Sequence, residues 1–143
     1  MTKKFFPVAF LAVLLGGIAW GADPEVIVIR EKLFIQQCND VYLNPDDYLG
    51  RAIRLEGVYG ELTGEKNGES LSYVYRVGPG CCGYDGVAGF RVFYNGESKP
   101  GQGAWVEVTG TVELLPPGAE DVVALRLSQL KVLEKRGAEY VSD

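Results

Sequence analysis

The chain has 143 residues, with 14 Lys and Arg against 19 Asp and Glu, and it contains no histidine. Without histidine the chain cannot form a Ser-His-Asp triad, and it has no imidazole with which to bind a metal ion. The net charge of −5 argues against a nucleic-acid partner, because binding to a phosphate backbone depends on Lys and Arg. The length is that of a single domain.

The first residues follow the three-part pattern of a secretory signal peptide. Lys3 and Lys4 give a short positive start, and an uncharged, almost wholly apolar run follows from residue 5 to residue 20. Ala19-Trp20-Gly21 then places small residues at the two positions that a signal peptidase reads. The alternative is an uncleaved membrane anchor, although a spanning helix usually needs about 20 apolar residues.

Cleavage after Gly21 divides the chain into a signal peptide (residues 1–21) and a single domain (residues 22–143). Loss of Lys3 and Lys4 lowers the count of basic residues from 14 to 12, so the net charge falls from −5 to −7. We therefore expect an exported protein that is periplasmic or otherwise extracytoplasmic, or membrane-anchored if the segment is retained.

Short elements precede the main part of the domain. Residues 25–30 contain a strand-like apolar run, and residues 33–43 are compatible with either a helix or an extended segment. Residues 44–50 predict one helical turn. Asn44 is suited to cap it, Pro45 to occupy its first position, and Gly50 to end it in the left-handed conformation.

Alternating apolar residues then predict five strands, and Gly-rich and Pro-rich joins separate them. The apolar period breaks near Ser128-Gln129, which indicates a bulge or a bend. Gly57 and Gly110 lie inside strands, where glycine is typical of sharp coiling at the corners of a small barrel. We predict an all-β fold, a small five-stranded OB-like barrel with a short helical turn before its first strand; the alternative is a β-sandwich. The predicted strands cover residues 51–59, 71–77, 88–94, 104–112 and 122–133.

The segment from Gly78 to Gly89, predicted to be a loop between the second and third strands, concentrates the chemistry. It contains five glycines and the adjacent Cys81 and Cys82. Three interpretations remain open. In the first, Cys38 forms a disulfide with one of these cysteines, since exported proteins oxidise their thiols. In the second, the cysteines are small buried residues in a tight turn. In the third, Cys81, Cys82 and Cys38 bind zinc or copper(I), with Asp85 or Asp40 as a further ligand.

Three stretches of the chain resemble the soluble domain of the YcgQ-like family, bacterial envelope proteins that accompany a predicted permease. They are residues 39–50 leading into 54–57, residues 78–86 with the adjacent cysteines, and residues 105–111 with the ending at 130–135. The resemblance implies an envelope location, a role near a transporter, and metal ions as cargo. Members of that family typically carry transmembrane helices ahead of this domain, where this chain has one signal-like segment.

We therefore expect an exported, non-enzymatic accessory protein of the bacterial envelope that binds a metal ion or a membrane permease through residues 78–89. One alternative is a structural or protein-interaction OB module whose cysteines serve only the fold. Another is a thiol redox protein that uses Cys81 or Cys82.

The signal peptide can be tested on protein isolated from its native cells. We expect intact mass and N-terminal sequencing to show a chain that starts near Ala22, because the small residues before it suit the peptidase. A native chain that retains Met1 in the membrane fraction would contradict cleavage and support the anchor.

Overall fold

The computed structural model describes residues 25–66 and 68–142. The predicted signal peptide lies outside these residues. Within them, no helix has both the length and the apolar character that crossing a bilayer requires.

The chain enters the fold through a two-residue strand, β1 (Ile27–Val28), and a 3-10 turn (Glu31–Leu33). Two helices follow, α1 (Phe34–Leu43) and α2 (Pro45–Tyr48). The segment that the sequence left open between helix and extended chain is therefore helical. The buried side chains of α1 recur at the spacing of one helical face, because the helix packs that face against the sheet. They are Phe34, Cys38 and Val41.

The predicted helical turn is confirmed, but its predicted cap is wrong. Pro45 occupies the first turn, and Gly50 has the expected left-handed backbone, with φ of 76°. The side chain of Asn44 makes no capping bond. Its Nδ2 instead donates to Oδ1 of Asp40, 2.8 Å away, because α1 ends immediately before α2 and brings Asp40 within reach.

Most of the remaining chain is β-sheet, as predicted. The strand order is β1-β2-β3-β4-β6-β5, and β5 also pairs with β2. The order β2-β3-β4-β6-β5 therefore closes into a ring of hydrogen-bonded strands, because β5 pairs with β2. β1 pairs with β2 in parallel. The strands of the ring are β2 (Ala52–Thr63), β3 (Ser70–Gly80), β4 (Gly83–Phe93), β5 (Trp105–Leu114) and β6 (Val123–Val132).

The β3–β4 hairpin extends beyond this ring. β4 pairs with β6 only through residues 91–93, and β3 pairs with β2 only through residues 70–75. Residues 76–80 and 83–88 pair mainly with each other. The hairpin is thus joined to the sheet at one end and projects from it at the other.

One buried position of β3 is occupied by a charged side chain. Arg76 is only 3% exposed, on the same side of the strand as the buried Val74. Its guanidinium donates to the carbonyl oxygens of Glu56 (2.8 Å) and Ala138 (2.9 Å). It also lies 4.9 Å from the ring centres of both Phe34 and Trp105, so the charge is compensated by carbonyls and aromatic faces.

Gly57 and Gly110 lie at sterically closed positions, as predicted. A Cβ at Gly57, where β2 changes partner from β5 to β3, would come within 2.7 Å of the carbonyl oxygen of Tyr75. A Cβ at Gly110 would come within 2.9 Å of the carbonyl oxygen of Arg126. The β5–β6 register shifts between Thr109 and Gly110, leaving Ser128 as the extra residue; this confirms the predicted bulge.

Replacement of either glycine by valine is expected to destabilise the fold. The added side chain meets backbone atoms that cannot move away independently, so Gly57→Val and Gly110→Val should each cost about 1–3 kcal/mol of unfolding free energy. Denaturant unfolding measures this cost. Gly101→Val is the control, because Gly101 is exposed and has open space around its Cα. Equal stability of all three variants would contradict the steric argument.

Candidate metal centre

The two adjacent cysteines form the turn of the projecting hairpin. Gly80 pairs with Gly83, which leaves Cys81 and Cys82 as a two-residue connection. The backbone of Gly83 has φ of 124°, a conformation that residues with a side chain rarely adopt. The prediction of a loop over residues 78–89 is therefore wrong: its glycines pair in a ladder, since bare backbones can approach closely there.

A bulge turns Asp85 toward the cysteines. The register shifts between Gly78 and Gly80, so that Tyr84 and Asp85 together oppose Pro79. Proline suits this position because it has no N–H to contribute to the ladder. The Asp85 carboxylate lies over Gly80, in the space that a Cβ there would fill. Gly80 and Pro79 thus position Asp85. In the sequence, the only sign of this role is the Pro-Gly pair that stands before the cysteines.

The three potential ligands are close together and open to solvent. The Sγ atoms of Cys81 and Cys82 are 3.4 Å apart, and Sγ of Cys81 lies 3.9 Å from Oδ2 of Asp85. All three ligand atoms lie within 4.8 Å of one another, and all three residues are exposed. No other trio of metal-binding side chains is this compact in the described part of the chain.

These separations fit a tetrahedral ion. Zinc–sulfur bonds of about 2.3 Å place two tetrahedral thiolates about 3.8 Å apart, whereas a linear two-thiolate ion would place them about 4.6 Å apart. The observed sulfur–sulfur distance of 3.4 Å is nearer the tetrahedral value. The donor set of two sulfurs and one oxygen therefore fits zinc, and it leaves one tetrahedral position open.

The third cysteine lies elsewhere. Cys38 is on α1, 1% exposed within the core, and is not part of the group formed by Cys81, Cys82 and Asp85. All three cysteines are free thiols, so the structure contains no disulfide from Cys38 to the turn. Burial raises the pKa of the Cys38 thiol to about 12, although the charge of Arg76 acts in the opposite direction. The thiolate form that binds metals is thus disfavoured at this position.

The hairpin is fastened just below the turn. The N–H of Val77 donates to the carbonyl of Glu139, and the N–H of Val141 donates to the carbonyl of Val77. Each hydrogen bond is 2.8 Å long. A Cβ at Gly78 would also approach within 2.7 Å of Cδ1 of Ile35 on α1. The C-terminal segment and α1 therefore both contact the base of the hairpin and fix the direction in which the turn points.

The hairpin segment itself carries little charge. Asp85 is the only Asp, Glu, Lys or Arg between residues 77 and 90. Large apolar and aromatic side chains are instead exposed there: Val87 (71%), Tyr140 (62%) and Tyr84 (59%). Tyr84 and Tyr140 contact each other edge to face, with ring centres 5.9 Å apart.

A separate cleft of about 410 Å³ lies between the β2–β3 and β5–β6 connections. Lys66 joins the two connections, because its Nζ donates to the carbonyls of Gly118 and Ala119. Arg91, nine-tenths buried, lines the cleft together with Phe93, whose ring centre is 5.0 Å from the guanidinium.

The model of the DUF1980 C-terminal domain matches residues 21–142. The chain belongs to this family. This DUF1980 match supports the resemblance to the YcgQ-like family at the level of the domain.

Comparison with individual proteins adds little to the family assignment. No curated protein matches this DUF1980 chain. Among solved structures, asparaginyl-tRNA synthetase of Entamoeba histolytica in complex with asparaginyl-adenylate is similar over 80% of this chain, at 17% identity and a TM-score of 0.39. The similar region is 25% of the synthetase chain, and a likeness this weak carries no argument about function.

Alkylation should separate the three thiols. At pH 8 and without metal, we expect iodoacetamide to modify Cys81 and Cys82, which are exposed, and to leave Cys38 unmodified until denaturant is added. Cys38 is shielded, and its pKa of about 12 keeps it protonated. Peptide mass spectrometry gives the modified sites. Labelling of Cys38 in the folded protein at the rate of the other two would contradict its placement in the core.

Proposed function

We propose that this protein is an exported, non-enzymatic accessory protein of the bacterial envelope that binds a soft metal ion through Cys81, Cys82 and Asp85. One observation carries the proposal: two adjacent thiols and a carboxylate converge within 4.8 Å on an exposed turn. Zinc is the preferred ion, because the ligand spacing suits a tetrahedral centre; copper(I) is the alternative.

The residues of the turn have separate roles in this proposal. Cys81 and Cys82 lose their protons when an ion binds, so metal affinity falls as the pH is lowered. The two thiolates already match the charge of a divalent ion, and Asp85 supplies an oxygen as the third ligand. Gly80 leaves the space that the carboxylate needs, and Pro79 ends the regular ladder where Asp85 turns inward.

The location of the site on a projecting hairpin suits delivery better than storage. A buried four-ligand site retains its ion, whereas an exposed site with an open position allows an incoming ligand to attack it. This supports a role beside a permease that carries metal ions, which the family resemblance implies. In this proposal the closed ring of strands is an OB-like barrel that serves as a rigid base for the hairpin.

The cleft beside Arg91 favours a second candidate function, a protein-interaction OB module. OB folds commonly bind ligands between the same two connections. In that case the cysteines would serve only the fold, and purified protein would contain no metal. A thiol redox protein that uses Cys81 or Cys82 is a further alternative, and it would not need Asp85.

Metal binding can be tested by titration of the reduced protein with zinc. We expect tight binding with release of protons and protection of both exposed thiols from alkylation. Cys81→Ser and Cys82→Ser should each weaken zinc binding at least tenfold. Loss of a group that only supports a ligand already lowers metal affinity by about 10–100-fold, and these substitutions remove a ligand itself. Cys38→Ala is the matched control and should retain wild-type affinity. Unchanged labelling of Cys81 and Cys82 with zinc or copper(I) present would refute the metal site.

A further inference from the structure

We propose that a second copy of this chain completes the site, so that one zinc-class ion is held by Cys81 and Cys82 of both copies. This inference rests on the proposed metal-binding function and goes beyond it. The starting point is that one chain supplies two sulfurs and one oxygen, whereas stable zinc sites have four protein ligands and commonly use four thiolates.

The chain does not offer the missing ligand from its own described residues. It has no histidine, and its third cysteine, Cys38, is on the buried face of α1. No further metal-binding side chain joins the three-residue group. The open position is therefore available to water or to another molecule, and the strongest zinc ligands within reach are the thiolates of a second turn.

The shape of the turn permits a second copy to approach closely. Gly83, directly after the cysteines, carries no side chain and has open space around its Cα, so the backbone is uncovered on that side of the turn. The turn also projects beyond the ring, which keeps the bulk of two molecules apart. Two turns can thus meet tip to tip without a clash between the rest of the chains.

The charge and polarity of the surface favour the same contact. The whole chain is acidic, yet residues 77–90 contain only one charged side chain, Asp85. Within this segment, repulsion between the copies is limited to the two Asp85 carboxylates and the thiolates that bind the ion, because charges farther away than about 8 Å are largely screened at physiological salt. Contact at the tip would also cover the exposed Tyr84, the large side chain nearest the cysteines along the hairpin.

The proposal assigns different roles to the ligands at different metal contents. At half an ion per chain, two pairs of thiolates surround the ion and both Asp85 carboxylates return to solvent. When zinc exceeds one ion per chain, each copy holds its own ion with Cys81, Cys82 and Asp85, and the dimer separates. A dimer that forms and then dissolves as zinc increases distinguishes this arrangement from ordinary metal-induced association.

Native mass spectrometry of the full chain tests the proposal. The cysteines are kept reduced, and the protein is released from mild detergent. We expect monomers without metal, a dimer with one zinc ion at half an equivalent, and monomers again in the presence of a chelator. Cys81→Ser and Cys82→Ser should abolish the dimer. Asp85→Asn should preserve it and weaken only the one-ion monomer, and Cys38→Ala should behave as the wild type.

Cobalt(II) provides an independent measurement, because the intensity of sulfur-to-cobalt charge transfer increases with the number of bound thiolates. The absorbance per cobalt should be about twice as high at half an equivalent as at excess. Monomers that bind one ion each at every ratio would overturn the second-copy proposal and leave the metal site intact. A dimer that persists with chelator or in the serine variants would also overturn it. Absence of any zinc or cobalt binding would overturn both proposals.

Discussion

The guanidinium of Arg76 joins parts of the chain that are far apart in sequence. Burial of a charge costs several kcal/mol unless polar groups surround it. Here the carbonyls of Glu56 and Ala138 accept its hydrogen bonds, and the rings of Phe34 and Trp105 cover it. These contacts link α1, three strands of the ring (β2, β3 and β5) and the C-terminal segment. Glu31 adds an ion pair at 3.3 Å, but its half-exposed side chain makes that contribution smaller.

The candidate metal centre depends on this arrangement through the C-terminal segment. Arg76 binds the carbonyl of Ala138, and the residues immediately after it hydrogen-bond with Val77 at the base of the hairpin. The turn itself has few contacts beyond its own ladder, so its direction is set at that base. This arrangement holds Cys81, Cys82 and Asp85 in solvent and away from the core. In the core water would be excluded, and the thiolate forms of the cysteines would be disfavoured.

The sequence predicted the regular parts of the fold better than the candidate site. Alternation located the five strands, and Gly57 and Gly110 indicated closed positions because glycine inside a strand usually has a steric cause. The sequence predicts a loop where the structure has a hairpin, because its glycines and Pro79 lower the local strand propensity. Pairing between the two strands outweighs this low propensity in the fold. Arg76 could not be found by pattern, because a charged residue in a strand normally faces solvent and its partners come from distant segments.

The burial of Cys38 also restricts how the chain can be oxidised. Thiol–disulfide exchange requires a thiolate to reach the sulfur that it attacks. Once α1 has docked, Cys38 meets neither condition, so an oxidant that reaches the folded chain encounters only the adjacent pair. Before docking, all three thiols are accessible and can be mispaired. Helix docking is therefore the step that separates the buried cysteine from the two exposed ones, and only oxidation that precedes docking can join Cys38 to the turn.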